Sequence, residues 1–156
     1  MATRPIPEGY NSITPVLAVE DASAAIEFWK RAFGAKERMR MDGPGGTVAH
    51  AELEIGDSLI MTADQFPQAS TKPPKELGGT SSAVFLYVED VDAVVQDAVD
   101  AGAEITMPVE DQFWGDRFGQ VRDPFGHIWQ IATHVEDVSP EEMERRGREA
   151  MASFSS

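Results

Sequence analysis

The chain has 156 residues, and its 13 lysines and arginines are set against 27 aspartates and glutamates, which gives a formal net charge of −14. Proteins that follow nucleic-acid phosphates or anionic membranes need a basic face, so we expect neither as a partner. The chain has no cysteine, which excludes disulfide and thiolate chemistry. No apolar run approaches the roughly 18 residues that a membrane helix needs, and the first residues lack a secretory pattern. Together these features predict a cytoplasmic protein.

The chain contains an internal repeat. A Val-Glu-Asp triplet that ends at Asp21 recurs at Asp90, and a Gly-Ala pair that begins at Gly34 recurs at Gly102. The two offsets differ by one residue, which indicates duplication of a whole module. We therefore expect two copies of one local structure.

The first copy predicts a strand, a helix and three further strands. Residues 12–20 alternate and are rich in Val, Ile and Thr, as in a strand. Asp21 is a good N-cap, apolar residues then follow at helical spacing, and Gly34 is a typical helix stop. Three more strands are predicted at residues 36–42, 47–55 and 58–64.

The second copy repeats this order. A strand is predicted at residues 82–89, Asp90 is the N-cap of the following helix, and Gly102 ends it. Three more strands are predicted at residues 104–109, 112–122 and 127–134. The sequence therefore predicts an α+β fold made of two βαβββ modules.

Two segments lie outside the modules. Residues 65–80 hold several prolines and glycines and are typical of a surface loop. Ser139-Pro-Glu-Glu142 has the form of a capping box with proline at the first helical position, which predicts a helix from about residue 140 to 151. This helix belongs to a tail that spans residues 139–156.

The module order, the Val-Glu-Asp triplets and the Asp123-Pro-Phe-Gly turn resemble the vicinal oxygen chelate superfamily, which includes glyoxalases, bleomycin-resistance proteins and extradiol dioxygenases. Within it the chain resembles the PhnB-like group. The stretches that carry this closer resemblance are residues 26–35, 50–53, 55–57, 111–119 and 127–134.

The resemblance implies a single domain at residues 1–138, with modules at about 11–64 and 81–134. It implies a curved, mixed sheet of eight strands around a cleft, with the helices on the outside and the C-terminal helix added. It also implies a homodimer, in which modules of two subunits can complete each cleft.

Metal-dependent members of the superfamily hold a divalent ion with His and Glu side chains, and the ion polarises substrate oxygens. The positions that match the glyoxalase I ligands hold Thr14, Met61 (or its neighbour Ile60), Ala83 and Gln130. None is a carboxylate or an imidazole, and methionine is too soft for a hard divalent ion. We therefore predict no metal and no other cofactor, with a divalent metal as the alternative. Thr14, Met61 and Gln130 are instead predicted to contact a ligand.

A polar alternation in the first module suggests a second kind of site. His50 and Glu52 fall on one face of a predicted strand, with side chains about 7 Å apart. The pair could bracket a ligand or water as an acid–base pair. The alternatives are a solvated strand face and, less well supported, a metal site.

Trp114 and Arg117 are the candidate ligand-binding residues of the second module. A tryptophan beside a guanidinium can stack on a flat ligand and hold an anionic group. In similar bleomycin-binding proteins the matching stretch lies on a strand that lines the cleft. The alternative is that Trp114 is core and Arg117 pairs with a local aspartate. His127 and His134, at the two ends of the last strand, are predicted to be structural.

These residues support three hypotheses, and they leave open whether the protein is an enzyme. The first is a metal-independent protein that binds a small flat or anionic molecule in the cleft. The second is a lyase, isomerase or oxidoreductase with a relocated site around His50, Glu52 and Gln130. The third is an interaction module that uses the acidic surface and the tail helix.

Overall fold

The computed structural model describes residues 2–154. Met1, at the start of the predicted domain, and residues 155–156, at the end of the predicted tail, lie outside the described residues. In chain order the elements are β1 Val16–Ala18, α1 Ala22–Phe33, β2 Lys36–Asp42, β3 Val48–Ile55, β4 Ser58–Ala63, α2 Pro74–Leu77, β5 Ala83–Tyr87, α3 Val91–Asp100, β6 Glu104–Asp111, β7 Asp116–Arg122, β8 Ile128–His134 and α4 Pro140–Phe154, with a single 3-10 turn at Pro44–Gly46.

The strands form two four-stranded mixed sheets of identical topology. The first has the order β1-β4-β3-β2 and the second the order β5-β8-β7-β6. In each sheet the first strand runs parallel to the last and the other pairs are antiparallel. The α+β fold with two βαβββ modules is therefore confirmed. Over residues 2–154, no strand pairing joins one sheet to the other.

Both module helices begin in the way that the repeat predicts. The Asp21 carboxylate accepts a hydrogen bond from the Ala24 amide at 3.0 Å, and Asp90 does the same for Ala93 at 3.2 Å. A further cap comes from the end of the last strand of each module, from Asp64 directly after β4 and from Thr133 in β8. Asp64 Oδ1 accepts from the Ala22 amide at 2.8 Å, and in the second module Thr133 Oγ1 accepts from the Val91 amide at 2.9 Å.

Two strands begin four residues later than predicted. The strand predicted at residues 12–20 is only Val16–Ala18, because Pro15 cannot donate to a ladder. The strand predicted at 112–122 begins at Asp116. Gln112 and Gly115 close a turn before it, with the Gly115 amide donating to the Gln112 carbonyl at 3.2 Å and a Gly115 φ of 100°. The predicted loop at residues 65–80 also contains the single turn α2.

The two modules are joined through the predicted Asp123-Pro-Phe-Gly turn. Asp123 is buried, and its Oδ2 accepts hydrogen bonds from the indoles of Trp29 in α1 and Trp129 in β8, at 3.2 and 2.9 Å. Its Oδ1 accepts from two amides of the turn at 2.9 Å each. His127 Nε2 lies 2.7 Å from the Ala18 carbonyl of the first module. This turn therefore fixes one module against the other.

The C-terminal helix α4 begins as the capping box predicts and ends at Phe154, a little later than predicted. Ser139 Oγ accepts from the Glu142 amide at 3.2 Å. Arg146 ties the helix to the body through Glu136, at 2.8 and 3.0 Å, and through the Phe113 carbonyl at 3.3 Å. None of the described helices is long and apolar enough to cross a membrane, and the cytoplasmic location stays a prediction.

Candidate functional site

Each sheet has one face against the core and one face away from it, which we call the open face. In the second sheet, Leu86, Trp129 and Ile131 belong to the core. Because strand side chains alternate between faces, Phe85 and Gln130 lie on the open face. In the first sheet the same alternation places the open-face residues His50, Glu52 and Met61 opposite the core residues Ala51, Leu53 and Ile60.

Large apolar side chains are exposed on both open faces. On the first sheet they are Val16, Met39 and Met41, and on the second they are Phe85, Tyr87 and Met107. Phe85 and Tyr87 are 44% and 60% exposed. Exposed apolar patches of this kind mark ligand sites or protein interfaces. The open faces are therefore where a functional site is expected.

Four aromatic rings meet on the open face of the second sheet, and we call them the aromatic patch: Phe85, Tyr87, Trp114 and Phe118. The ring centroids of Phe85 lie 5.0 Å from Tyr87 and 5.9 Å from Phe118, and Trp114 lies 5.9 Å from Phe118. A cavity of about 610 Å³ lies at the β5 edge of the second sheet, beside the β3–β4 hairpin, and its wall includes Phe85 and Tyr87 of the patch together with Leu86 and Trp129 of the core side. Its volume is in the range of small-molecule sites.

A buried carboxylate holds the patch in place. Asp116 is 1% exposed, and it accepts hydrogen bonds from Tyr87 Oη at 2.8 Å, Trp114 Nε1 at 3.0 Å and His134 Nδ1 at 2.8 Å. Burial alone would raise the pKa of the Asp116 carboxyl, but the hydrogen bonds from His134, Tyr87 and Trp114 outweigh it and hold the pKa below its usual value. The hydrogen bond to Asp116 also raises the pKa of the Tyr87 hydroxyl.

His134 bridges this carboxylate to the segment before α4. Its Nδ1 faces Asp116 and its Nε2 faces Asp137, each at 2.8 Å. Two carboxylate acceptors require both ring nitrogens to donate, so the ring is an imidazolium in this arrangement. Hydrogen bonds to Asp137 and Asp116 raise the pKa of His134 accordingly. The predicted structural role of His134 is thus a tie between β8 and the segment that precedes α4.

Beside the patch lie two glutamines, which we call the amide pair: Gln130 and Gln120. Gln130 is the neighbour of Phe85 across β5 and β8, and of Gln120 across β8 and β7. Gln130 Nε2 donates to Gln120 Oε1 at 3.0 Å, and Gln120 Nε2 donates to Thr106 Oγ1 at 3.0 Å. The open face of the second sheet therefore combines an aromatic surface with neutral hydrogen-bonding groups.

His50 and Glu52 occupy the open face of the first sheet, but not in the predicted spacing. Their side chains touch, with His50 Nε2 3.3 Å from Glu52 Oε2, so they do not bracket a molecule between them. A cavity of about 530 Å³ lies over Glu52 and Met61, and its outer wall is formed by N-terminal residues that include Tyr10. No pattern in the sequence predicts this wall.

The other predicted residues are dispersed. Arg117 projects from β7 on the face of α3, where its guanidinium binds Asp92 at 2.7 and 3.0 Å and Asp111 at 3.2 Å. This is the alternative in which Arg117 pairs with a local aspartate, and it removes Arg117 from the face that holds Trp114. Thr14 lies before β1. Gln130 lies in the second sheet, while His50 and Glu52 lie in the first.

The residues at the family's metal positions do not fit a divalent ion. Thr14, Met61, Ala83 and Gln130 offer a hydroxyl, a thioether, a methyl group and an amide, and hard or borderline divalent ions prefer carboxylate, imidazole or thiolate ligands. Within residues 2–154, no three His, Asp or Glu side chains gather in a group that could hold a metal ion.

Comparisons with known proteins agree with this architecture. The sequence profile of the Glyoxalase/Bleomycin resistance protein/Dioxygenase superfamily matches residues 10–131. Uncharacterized protein Rv0887c of Mycobacterium tuberculosis (strain ATCC 25618 / H37Rv) is 43% identical over 136 residues, which cover 85% of this chain and 80% of that protein.

Two solved structures show the same fold. The crystal structure of TioX from Micromonospora sp. ML1 has a TM-score of 0.61 and 29% identity, and the match covers 80% of this chain and 100% of TioX. A PhnB protein from Bacillus cereus has a TM-score of 0.62 and 21% identity over 79% of this chain and 99% of its own. The similarity to the second protein is one of fold alone.

Proposed function

The chain belongs to the Glyoxalase/Bleomycin resistance protein/Dioxygenase superfamily, and from that premise we propose that it binds a small planar organic molecule on the open face of the second sheet, without a divalent ion. The observation that carries this proposal is the aromatic patch, whose rings are exposed at Phe85 and Tyr87 and held from beneath by the buried Asp116.

Aromatic surface of this kind favours flat ligands for two reasons. Covering exposed rings removes apolar area from water, worth about 25 cal/mol per Å². Ring–ring contacts with offset or edge geometry add about 0.5–1.5 kcal/mol per pair. The cavity of about 610 Å³ beside Phe85 and Tyr87 supplies room for a compound of one to three fused rings.

The charges around the patch favour an uncharged ligand over an anionic one. The Arg117 guanidinium, the first candidate for an anion, is bound to Asp92 and Asp111 on the other face. The His134 imidazolium is bound to Asp116 and Asp137. The sequence alone predicts a flat or anionic ligand, and with these charges taken into account we propose a ligand that is flat and uncharged.

In the same proposal, two copies of the chain form a homodimer that covers part of the open faces. Support comes from the exposed Val16, Met39 and Met41 of the first sheet and Met107 of the second. Light scattering coupled to size exclusion tests this assembly. A monomer at micromolar concentration would contradict the dimer and leave the aromatic patch available in one chain.

Binding is tested by calorimetry against a panel of planar bicyclic and tricyclic compounds. Phe85→Ala should weaken the binding of any hit by about tenfold or more, because a stacking ring is lost. Leu77→Ala is the matched control, since Leu77 is 63% exposed on α2, outside the aromatic patch. A panel without any hit, or equal losses in both variants, would contradict the proposal.

A second candidate function is acid–base catalysis on the first sheet, of the lyase, isomerase or oxidoreductase kind. The contact of 3.3 Å between His50 and Glu52 favours it, as does the cavity of about 530 Å³ over Glu52. Gln130 lies in the second sheet, so it would take part in this site only if the ligand extended from one sheet to the other. The test is turnover of any compound that binds. Loss of turnover in His50→Gln with binding unchanged would establish this function, and binding without turnover would dismiss it.

A further inference from the structure

The amide pair stands at the centre of the second sheet, on the two inner strands β8 and β7. Both glutamines are partly exposed on the open face, and Gln130 is the direct neighbour of Phe85. Gln130 also holds one of the positions that match a metal ligand of glyoxalase I. A metal site would need a carboxylate or an imidazole at this position, and Gln130 has a neutral amide. The polar group that this face offers to a ligand is therefore a hydrogen-bonding amide.

The hydrogen bonds of the pair leave part of Gln130 without a partner. One Nε2 hydrogen bonds to Gln120 Oε1, and Gln120 in turn donates to Thr106. Within residues 2–154, Gln130 Oε1 and the second Nε2 hydrogen have no protein partner. No buried side-chain nitrogen or oxygen of the described chain lacks a hydrogen bond, so the unpartnered Gln130 Oε1 faces accessible space.

This result does not depend on the assigned direction of the amides. If both amides were rotated by half a turn, Thr106 Oγ1 would donate to Gln120 Oε1 instead of to the Gln120 backbone carbonyl, its acceptor at 3.3 Å, and Gln120 Nε2 would donate to Gln130 Oε1. Gln130 would then keep a lone pair on Oε1 and both Nε2 hydrogens. In either arrangement Gln130 offers one acceptor and at least one donor to a ligand, side by side.

We infer that the ligand carries a neutral edge in which a carbonyl and an N–H are adjacent, as in a lactam or a lactam-like heterocycle. The edge pairs with the Gln130 amide while the ring of the ligand lies on Phe85. This inference rests on the proposed function, and it names the chemical class of the ligand. Neutral pairing also agrees with the state of the two cations nearest in sequence to the patch, Arg117 and His134, which are both bound to carboxylates.

Discrimination follows from the cost of leaving polar groups unpaired. A ligand of the same shape without the N–H displaces water from Gln130 Oε1 and returns no hydrogen bond to that oxygen. Binding of such an analogue should be weaker than that of the lactam. The ring surface is the same in both compounds, so the contact with Phe85 does not contribute to the difference.

The experiment uses three probes on the full chain: the bicyclic lactam carbostyril, N-methylcarbostyril and quinoline. Calorimetry should show carbostyril binding about tenfold tighter than either analogue. In Gln130→Met the preference should disappear while the affinity for quinoline stays the same. Gln130→Leu provides a second variant of similar size that lacks both the amide donors and the amide acceptor, and it should also lose the preference. Leu77→Ala should keep it.

The outcomes separate this inference from the proposed function. If all three probes bind the natural chain equally and Phe85→Ala weakens all of them, the planar site stands and the lactam inference is wrong. If no probe binds, both are overturned. A lactam preference that survives in both Gln130 variants, with circular dichroism showing them folded, also overturns the inference.

Discussion

The Tyr87 hydroxyl donates a hydrogen bond of 2.8 Å to the buried Asp116 carboxylate, and this contact joins the aromatic patch to the interior of the second sheet. Trp114 and His134 use the same carboxylate. One acidic side chain therefore sets the orientation of two of the four patch rings. Its removal should affect both stability and the shape of the binding face.

Asp116→Ala should destabilise the fold by about 2–4 kcal/mol, because it leaves three donors without their acceptor in a partly buried site. Urea unfolding measures this loss. Asp137→Ala is the control, since that carboxylate is fully exposed and shares only His134 with Asp116. Equal stability in both variants would show that the carboxylate beneath the patch has no structural role.

The tie made by His134 should weaken as pH rises. The pKa of His134 is raised above 6.5 in the folded protein by Asp137 and Asp116. The stabilisation is therefore fully present below pH 6.5, and it is lost as pH rises through the folded pKa. The neutral ring should keep its hydrogen bond to Asp116, whose carboxylate has two other donors, and should lose its hydrogen bond to Asp137.

This is checked by comparing the melting temperature of the natural chain with that of His134→Gln across pH. The difference between the two should shrink as the solution becomes alkaline. At the acidic end the Asp116 carboxyl, with its lowered pKa, should lose its own contribution only below pH 3.8. A difference that grows at alkaline pH would contradict the ion-pair account.

Asp123 should be one of the most sensitive positions in the chain. It accepts from the indoles of Trp29 and Trp129, whose ring centroids lie 6.2 Å apart, and from two amides of its own turn. Asp123→Ala should cost about 3–5 kcal/mol in the free energy of unfolding. Asp57→Ala is the control, because Asp57 lies in an exposed turn and accepts only from its neighbour Ser58. Equal unfolding midpoints would contradict this assignment.

Arg146→Ala should release α4 from the body. Arg146 bonds Glu136 and the Phe113 carbonyl, whereas the ion pair of Arg148 among the described residues is with Glu144 inside the same helix. Hydrogen exchange of residues 140–154 should therefore accelerate in Arg146→Ala and remain close to the natural rate in Arg148→Ala. Unchanged exchange in the first variant would show that contacts other than those of Arg146 hold the helix.

The fold could be predicted because its signals are local and occur twice. The Asp21 and Asp90 carboxylates accept from amides three residues further along the chain, and glycine stops and hydrophobic spacing recur in each copy. The errors in strand length have local causes that were visible in the sequence. Pro15 shortens the first strand, and Gly115 marks a turn inside a segment that otherwise alternates like a strand.

The site was predicted only in part. Trp114 and Gln130 lie on the open face, but the grouping of Tyr87, Asp116 and His134 depends on the register between β5, β8 and β7, which no local pattern fixes. One signal was available: alternation puts Phe85 and Tyr87 on one face.

The alternation of side chains along β7 also puts Arg117 on the face opposite Asp116 and Phe118. It therefore could have predicted that the arginine lies on the helix side of the sheet. The contact between His50 and Glu52 could not be predicted in this way. Two residues on one strand face can turn toward or away from each other, and their rotamers decide which occurs.

Amide chemical-shift mapping of the chain titrated with carbostyril tests the central claim most directly. A ligand on the aromatic patch should shift the amides of β5, β7 and β8 and should lose this effect in Phe85→Ala. Shifts confined to the residues around His50 and Glu52, or the same shifts in Phe85→Ala, would contradict a binding site on the second sheet.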